Sequence, residues 1–84
     1  MSAASLRLHV RFFALLREQA GCSAVTVETS SGTPAALYAE LQSGYALTFP
    51  AALLRVSINE RYADMAAPLN TGDRVVFIPP VAGG

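Results

Sequence analysis

The stretch RVVFIPPVAGG, residues 74–84, decides how the rest of this chain is interpreted. Residues 74–78 alternate as a strand does, with Val75 and Phe77 on one face. Two prolines follow, and because proline has no backbone N–H, they end the hydrogen-bond ladder of the strand. Residues 79–84 are therefore predicted to form a flexible tail that ends on two glycines. Its last four residues, if extended, reach about 13 Å beyond the body. Such a tail suits insertion into a narrow pocket of another protein, although a frayed end has the same composition.

The composition is that of one small globular domain spanning residues 1–84. Hydrophobic residues make up 52% of the 84 residues and charged residues 14%, which excludes a disordered chain. The formal net charge is zero, with no basic block, so we expect no nucleic-acid binding. No apolar run approaches the roughly 20 residues that span a membrane, and residues 1–5 do not resemble a signal peptide.

The single cysteine, Cys22, excludes an internal disulfide and indicates a reducing, cytoplasmic location. Cys22 has no CxxC partner, and His9 has no carboxylate or cysteine at ligand spacing, so we expect no metal site and no catalytic site on the body. All six cationic residues are arginine. Genomic base composition is one explanation for the lack of lysine. The other is that a chain with an activated C-terminus benefits from having no lysine amines that could attack it.

The hydrophobic pattern predicts an α+β chain with five strands and one main helix. A short helix over Ala14–Ala20 is predicted to turn both Leu15 and Leu16 inward. The main helix is predicted to begin after an N-cap at Thr33, with Pro34 in its first turn, and to end at residues 43–44. The strands are predicted over residues 6–13, 23–28, 54–58, a short segment around 62, and 74–78.

This element order fits the β-grasp, or ubiquitin-like, fold, in which a mixed sheet packs on one main helix. In that fold the first and last strands are parallel neighbours in the middle of the sheet. Phe13 and Ile78 then lie side by side on the solvated face, at the base of the tail. Two exposed apolar side chains beside a protruding tail predict a partner-binding patch, although single surface hydrophobics are common.

Both ends of the chain resemble the sulfur-carrying small subunit of molybdopterin synthase. The opening resemblance is carried by Phe12-Phe13-Ala14-x-Leu16-Arg17-Glu18-x-x-Gly21. The closing one is carried by Leu69-x-x-Gly72-Asp73-x-Val75-x-Phe77-x-Pro79-Pro80-Val81-x-Gly83-Gly84. Together they cover nearly half of the residues, and the middle of the chain adds little beyond the fold.

The resemblance implies a chemistry for the C-terminus. In this family an ATP-dependent, zinc-containing adenylating enzyme activates the terminal glycine carboxylate, and a sulfur donor converts the adenylate to a thiocarboxylate. The tail then enters the large subunit and gives its sulfur to cyclic pyranopterin monophosphate. The resemblance also implies a dimeric large subunit with one carrier at each end, and catalytic residues in that subunit. ATP is used by the adenylating partner, and no cofactor is expected on this chain.

By similarity, the reacting group is the C-terminal carboxylate of Gly84. The partner-binding residues implied are Phe13, Tyr62, Ile78, Pro79, Pro80, Val81, Ala82 and Gly83. Glycine at the last two positions lets the backbone approach catalytic groups without a Cβ in the way. Two other interpretations stay open: a carrier that serves thiamine or cysteine synthesis, and a non-catalytic ubiquitin-like docking module.

Overall fold

The computed structural model describes residues 5–80, and the elements follow the predicted order. Two helices and a 3-10 helix accompany five strands. The elements are β1 (Leu6–Phe12), α1 (Leu15–Ala20), β2 (Ala24–Thr29), α2 (Pro34–Tyr45), the 3-10 helix (Ala51–Leu53), β3 (Arg55–Ile58), β4 (Arg61–Ala63) and β5 (Arg74–Ile78). Residues 81–84, which include Val81, Ala82, Gly83 and Gly84 of the predicted tail, lie outside the described residues.

The five strands form one mixed sheet in the order β2-β1-β5-β3-β4. β1 and β5 are parallel neighbours in the middle, with Val10 opposite Val75 and Phe12 opposite Phe77. β2 pairs with β1 and β3 pairs with β5, both antiparallel, and β4 closes the far edge against β3. This topology confirms the predicted β-grasp architecture and the predicted position of its first and last strands.

One face of the sheet packs against α2 and forms the core. The core consists of Leu8, Val10, Phe12, Leu16, Leu37, Tyr38, Leu41, Leu47, Leu54, Val56, Leu69, Val75 and Phe77. The Tyr38 ring lies 5.2 Å from the Phe77 ring, centroid to centroid. The Tyr38 hydroxyl donates a hydrogen bond of 2.8 Å to the Phe49 carbonyl oxygen, so its one polar atom is satisfied inside the core.

The main helix begins as predicted and ends later than predicted. The Thr33 hydroxyl oxygen accepts a 3.2 Å hydrogen bond from the Ala36 amide, and Pro34 occupies the first helical position. The predicted end at residues 43–44 is wrong, because the helix continues to Tyr45. The Tyr45 ring packs 5.8 Å from the Phe12 ring, centroid to centroid, and this contact outweighs the low helix propensity of Gly44. Ala46, at φ 56°, then ends the helix.

The prediction that Leu15 and Leu16 both point inward is wrong for Leu15. Leu16 is fully buried, whereas Leu15 is 42% exposed. Side chains at neighbouring positions of a helix point about 100° apart. The six-residue α1 packs one face against the core, so Leu16 is buried there and Leu15 points into solvent. The short 3-10 helix over Ala51–Leu53 was not predicted, and several strand ends shift by one residue.

The β3–β4 hairpin turns through two residues, Asn59 and Glu60, whose φ angles are 53° and 73°. Two consecutive positive φ angles are typical of the tight type I′ hairpin turn. The buried Asp73 carboxylate fixes this turn to the start of β5. It accepts a 2.9 Å hydrogen bond from the Asn59 side-chain amide and a 2.8 Å bond from the Asn70 backbone amide. No helix within residues 5–80 is long and apolar enough to cross a membrane.

Candidate functional site

The candidate site lies on the outer face of the sheet, where β5 leaves the body. β5 ends at Ile78, as predicted, and the two prolines follow. Pro79 is buried, although we expected it to contribute to the partner-binding surface. Pro80 is exposed. Within the described residues, the accessible part of the chain exit therefore begins at Pro80.

Phe13 and Ile78 are brought together as predicted. Because Phe12 pairs with Phe77 in the parallel ladder, the next residue on each strand lies at the same end of the sheet. Both side chains line one open groove of about 350 Å³. Phe13 is 45% exposed, whereas Ile78 is half-buried rather than fully exposed. Ile78 lies within a central strand, directly opposite Arg55 of β3, whereas Phe13 lies just beyond the end of β1.

A sharp change in backbone direction holds Phe13 at the end of β1. Ala14 has a φ angle of 52°, and the Leu16 amide donates a 3.0 Å hydrogen bond to the Phe13 carbonyl oxygen. The chain thus turns away into α1 immediately after Phe13. Its side chain keeps the outward direction of its strand position, while its neighbour Phe12 is fully buried.

Tyr62 lies on the same outer face, two strands away. It pairs with Ser57 across the β3–β4 hairpin, and Ser57 pairs with Val76 of β5. Tyr62 is 74% exposed. It lines a second open concavity of about 580 Å³ that also contains Leu53 and Pro80. We refer to Phe13, Val76, Ile78 and Tyr62 together as the apolar patch.

Two members of this region were not singled out from the sequence. Val76 lines the same groove as Phe13 and Ile78, and it pairs with Ser57, which in turn pairs with Tyr62. Leu53, in the 3-10 helix, is 58% exposed and lines the Tyr62 concavity. The alternation of β5 was a signal that could have identified Val76. No sequence signal indicated Leu53, because its position depends on an unpredicted helix.

The remaining candidates for chemistry on the body are unremarkable in their surroundings. Cys22 is half-buried in the segment before β2. The His9 Nδ1 atom lies 3.3 Å from the Thr26 hydroxyl oxygen on the outer face. Among residues 5–80, no group of three or more His, Cys, Asp or Glu side chains is arranged to hold a metal ion.

Comparison with known proteins gives this surface a context. The sequence model of the ThiS family matches residues 10–84. The chain is 36% identical over 80 residues to the molybdopterin synthase sulfur carrier subunit of Haemophilus influenzae, an alignment that covers 92% of this chain and 99% of that protein.

Solved structures agree with the fold. The solution structure of a Haloferax volcanii protein superposes with a TM-score of 0.78 at 28% identity, covering 95% of this chain and 88% of that one. A chain of the complex between subunits 1 and 2 of the molybdopterin-converting factor from Helicobacter pylori superposes with a TM-score of 0.65 at 25% identity. That match covers 94% of this chain and 100% of the other.

Proposed function

Because the chain belongs to the ThiS family, we propose that it is the sulfur carrier subunit of molybdopterin synthase. The observation that supports this choice most directly is its identity of 36% with a relative of that name, along 99% of the relative's length. The end of β5 adds a physical argument. A chain exit that leaves the sheet beside an apolar patch allows a partner to bind the body and receive the tail at once.

The proposed chemistry takes place at the C-terminal carboxylate of Gly84. A carboxylate oxygen is a poor leaving group, so the carboxylate first attacks the α-phosphate of ATP, forming an acyl-adenylate and releasing pyrophosphate. Hydrosulfide supplied by a donor protein then displaces AMP at the carbonyl carbon, and loss of its proton leaves a thiocarboxylate. Transfer of that sulfur to cyclic pyranopterin monophosphate returns Gly84 to a carboxylate, with its oxygen supplied by water. Two carrier thiocarboxylates are consumed for each dithiolene.

In this proposal the chain is a non-catalytic subunit. The adenylating enzyme uses the ATP, the large subunit supplies the catalytic residues, and this chain binds no cofactor of its own. The H. pylori structure is a complex of subunits 1 and 2 of the molybdopterin-converting factor. By analogy, we propose that the apolar patch of this chain docks on a large subunit, in a heterotetramer with two carriers. We propose a cytoplasmic location, because the cytoplasm is a reducing environment that suits thiocarboxylate chemistry.

Intact-mass spectrometry tests the carrier function. The full chain is incubated with its adenylating enzyme, ATP and a sulfur donor. We expect a product heavier by the mass difference between sulfur and oxygen, and we expect that product to convert cyclic pyranopterin monophosphate in the presence of the large subunit. Omission of ATP is the control. A chain that never gains sulfur under these conditions is a docking module rather than a carrier.

Affinity capture tests the pathway separately. The tagged chain is used to isolate its partners from the native cell, and the molybdopterin synthase large subunit is expected among them. A sulfur-loaded chain that instead captures only enzymes of thiamine or cysteine synthesis would keep the carrier chemistry and contradict the pathway.

A further inference from the structure

The apolar patch is flanked by two arginines that form no ion pair with any of residues 5–80. Arg55 of β3 lies directly opposite Ile78, and Arg11 of β1 lies directly opposite Val76. Both side chains are exposed on the outer face, and Arg11 also lines the Phe13 groove. In the described part of the chain, neither guanidinium has a carboxylate within ion-pairing distance.

The other two arginines of this face are already paired. Arg7 lies 3.1 Å from Glu28, and Arg74 lies 3.8 Å from Glu60, nitrogen to oxygen. Asp64 lines the same concavity as Arg55, but its Oδ1 atom accepts the Ala66 amide instead. Glu60 also lines the groove that contains Phe13 and Arg11. Although the whole chain has a net charge of zero, the four arginines of the outer face outnumber its three described carboxylates, Glu28, Glu60 and Asp64, by one. Arg11 and Arg55, beside the apolar patch, are the two of these arginines that form no ion pair within residues 5–80.

This arrangement constrains the surface that can cover the patch. A partner that buries Phe13 and Ile78 must also exclude water from the guanidinium groups of Arg11 and Arg55. Removing an arginine from water without giving it a partner is costly, whereas a carboxylate in hydrogen-bond reach offsets that cost. Arginine is also the cation best suited to such a site, because its planar group binds a carboxylate through two hydrogen bonds.

We propose that the large subunit docked on this face presents carboxylates opposite Arg11 and Arg55, around an apolar centre that covers Phe13 and Ile78. The inference rests on the proposed function, because it describes the docking surface of that partner. A nucleic acid is the alternative occupant of a positive face, but the apolar patch and the glutamates Glu28 and Glu60 on the same face disfavour it.

The test measures the dissociation constant between the full chain and the purified large subunit by isothermal titration calorimetry, at several salt concentrations. Arg11→Gln and Arg55→Gln are each expected to weaken binding by about fivefold or more at low salt, and the double variant further. The affinity of the unsubstituted chain is expected to fall as salt rises, with a flatter dependence for the double variant. Arg7→Gln is the matched control, since Arg7 lies on the same strand and face but is paired with Glu28.

The outcomes separate this inference from the proposed function. If the chain binds the large subunit and the double variant binds with the same affinity and salt dependence, the carboxylates are absent and the inference is overturned, while the proposed function stands. If the unsubstituted chain does not bind the large subunit at any salt concentration, the proposed function fails, and the inference fails with it. Binding of a labelled single-stranded oligonucleotide that is lost in the double variant, with large-subunit affinity unchanged, also overturns it. Unchanged circular dichroism and thermal unfolding show that each variant is folded.

Discussion

Replacing Phe13 with alanine is expected to weaken binding to the large subunit with little effect on folding. Phe13 lies at the end of β1, outside the buried core, with 45% of its surface exposed in the groove beside Ile78. The buried phenylalanine next to it, Phe12, belongs to the core. Truncation at residue 13 therefore removes surface that a partner covers, and leaves the packing between sheet and helix in place.

The size of the effect follows from the exposed area. A phenylalanine side chain buries about 200 Å² when fully covered, and the 45% that remains exposed leaves about 90 Å² for a partner. At about 25 cal/mol per Å², covering that area stabilises the complex by ~2 kcal/mol. Loss of the side chain is then expected to raise the dissociation constant about 30-fold.

The assay is titration calorimetry with the large subunit, and Leu15→Ala is the matched control. Leu15 is apolar and 42% exposed, but it lines neither the groove of Phe13 and Ile78 nor the concavity of Tyr62. Its truncation is expected to change the dissociation constant by less than about threefold. Equal losses for Phe13→Ala and Leu15→Ala, or no loss for Phe13→Ala, would refute the reasoning that the groove is the docking surface.

Three further predictions concern the C-terminal glycine, the Asp73 carboxylate that fixes the β3–β4 turn, and Tyr38 in the core. Gly84→Ala is expected to lower the yield of thiocarboxylate in the intact-mass assay with no change in thermal unfolding, because a methyl group crowds the approach to the reacting carbonyl; normal turnover would contradict this. Asp73→Ala is expected to lower the free energy of unfolding in urea by roughly 2–3 kcal/mol, because a buried carboxylate and its two hydrogen bonds are lost. The exposed Asp64 is the control, and its replacement by alanine should cost less than about 1 kcal/mol. Burial raises the pKa of the Tyr38 hydroxyl, since the folded state disfavours the phenolate. The stability that this contributes is present below the unfolded pKa of about 10 and is lost as pH rises through the higher folded value. Tyr38→Phe, which loses the hydrogen bond to Phe49, is expected to cost about 1 kcal/mol at neutral pH and to show a smaller alkaline loss in urea unfolding from about pH 8 to about pH 11. Identical alkaline losses in the two proteins would show that another group is responsible.

Local pattern was sufficient for much of the fold. The alternation of residues 74–78 predicted β5 with its bounds and its buried face, and the Thr33-Pro34 pair predicted the start of α2. Both are properties of a few neighbouring residues, set by strand pleating and by the hydrogen bonds that a helix start lacks. The position of Phe13 beside Ile78 also followed, once the fold had fixed β1 and β5 as parallel neighbours.

Distant contacts decided what local pattern left open. The end of α2 moved to Tyr45 because its ring meets Phe12. Leu15 is exposed because the face of the short helix that packs against the core carries Leu16 and Ala20. Pro79, which the sequence assigned to the tail, is buried at the exit of the sheet.

The sequence by itself determined which residues of each strand point outward, since strand pleating alternates side chains with a period of two. It could not determine which outward residues meet, because register is set by hydrogen bonds between strands far apart in the chain. Only the tertiary structure placed Arg55 opposite Ile78 and Arg11 opposite Val76. The chemistry proposed for the terminus thus follows from a resemblance carried by the two ends of the sequence, whereas the arginines beside the proposed docking surface were located only by the strand pairing.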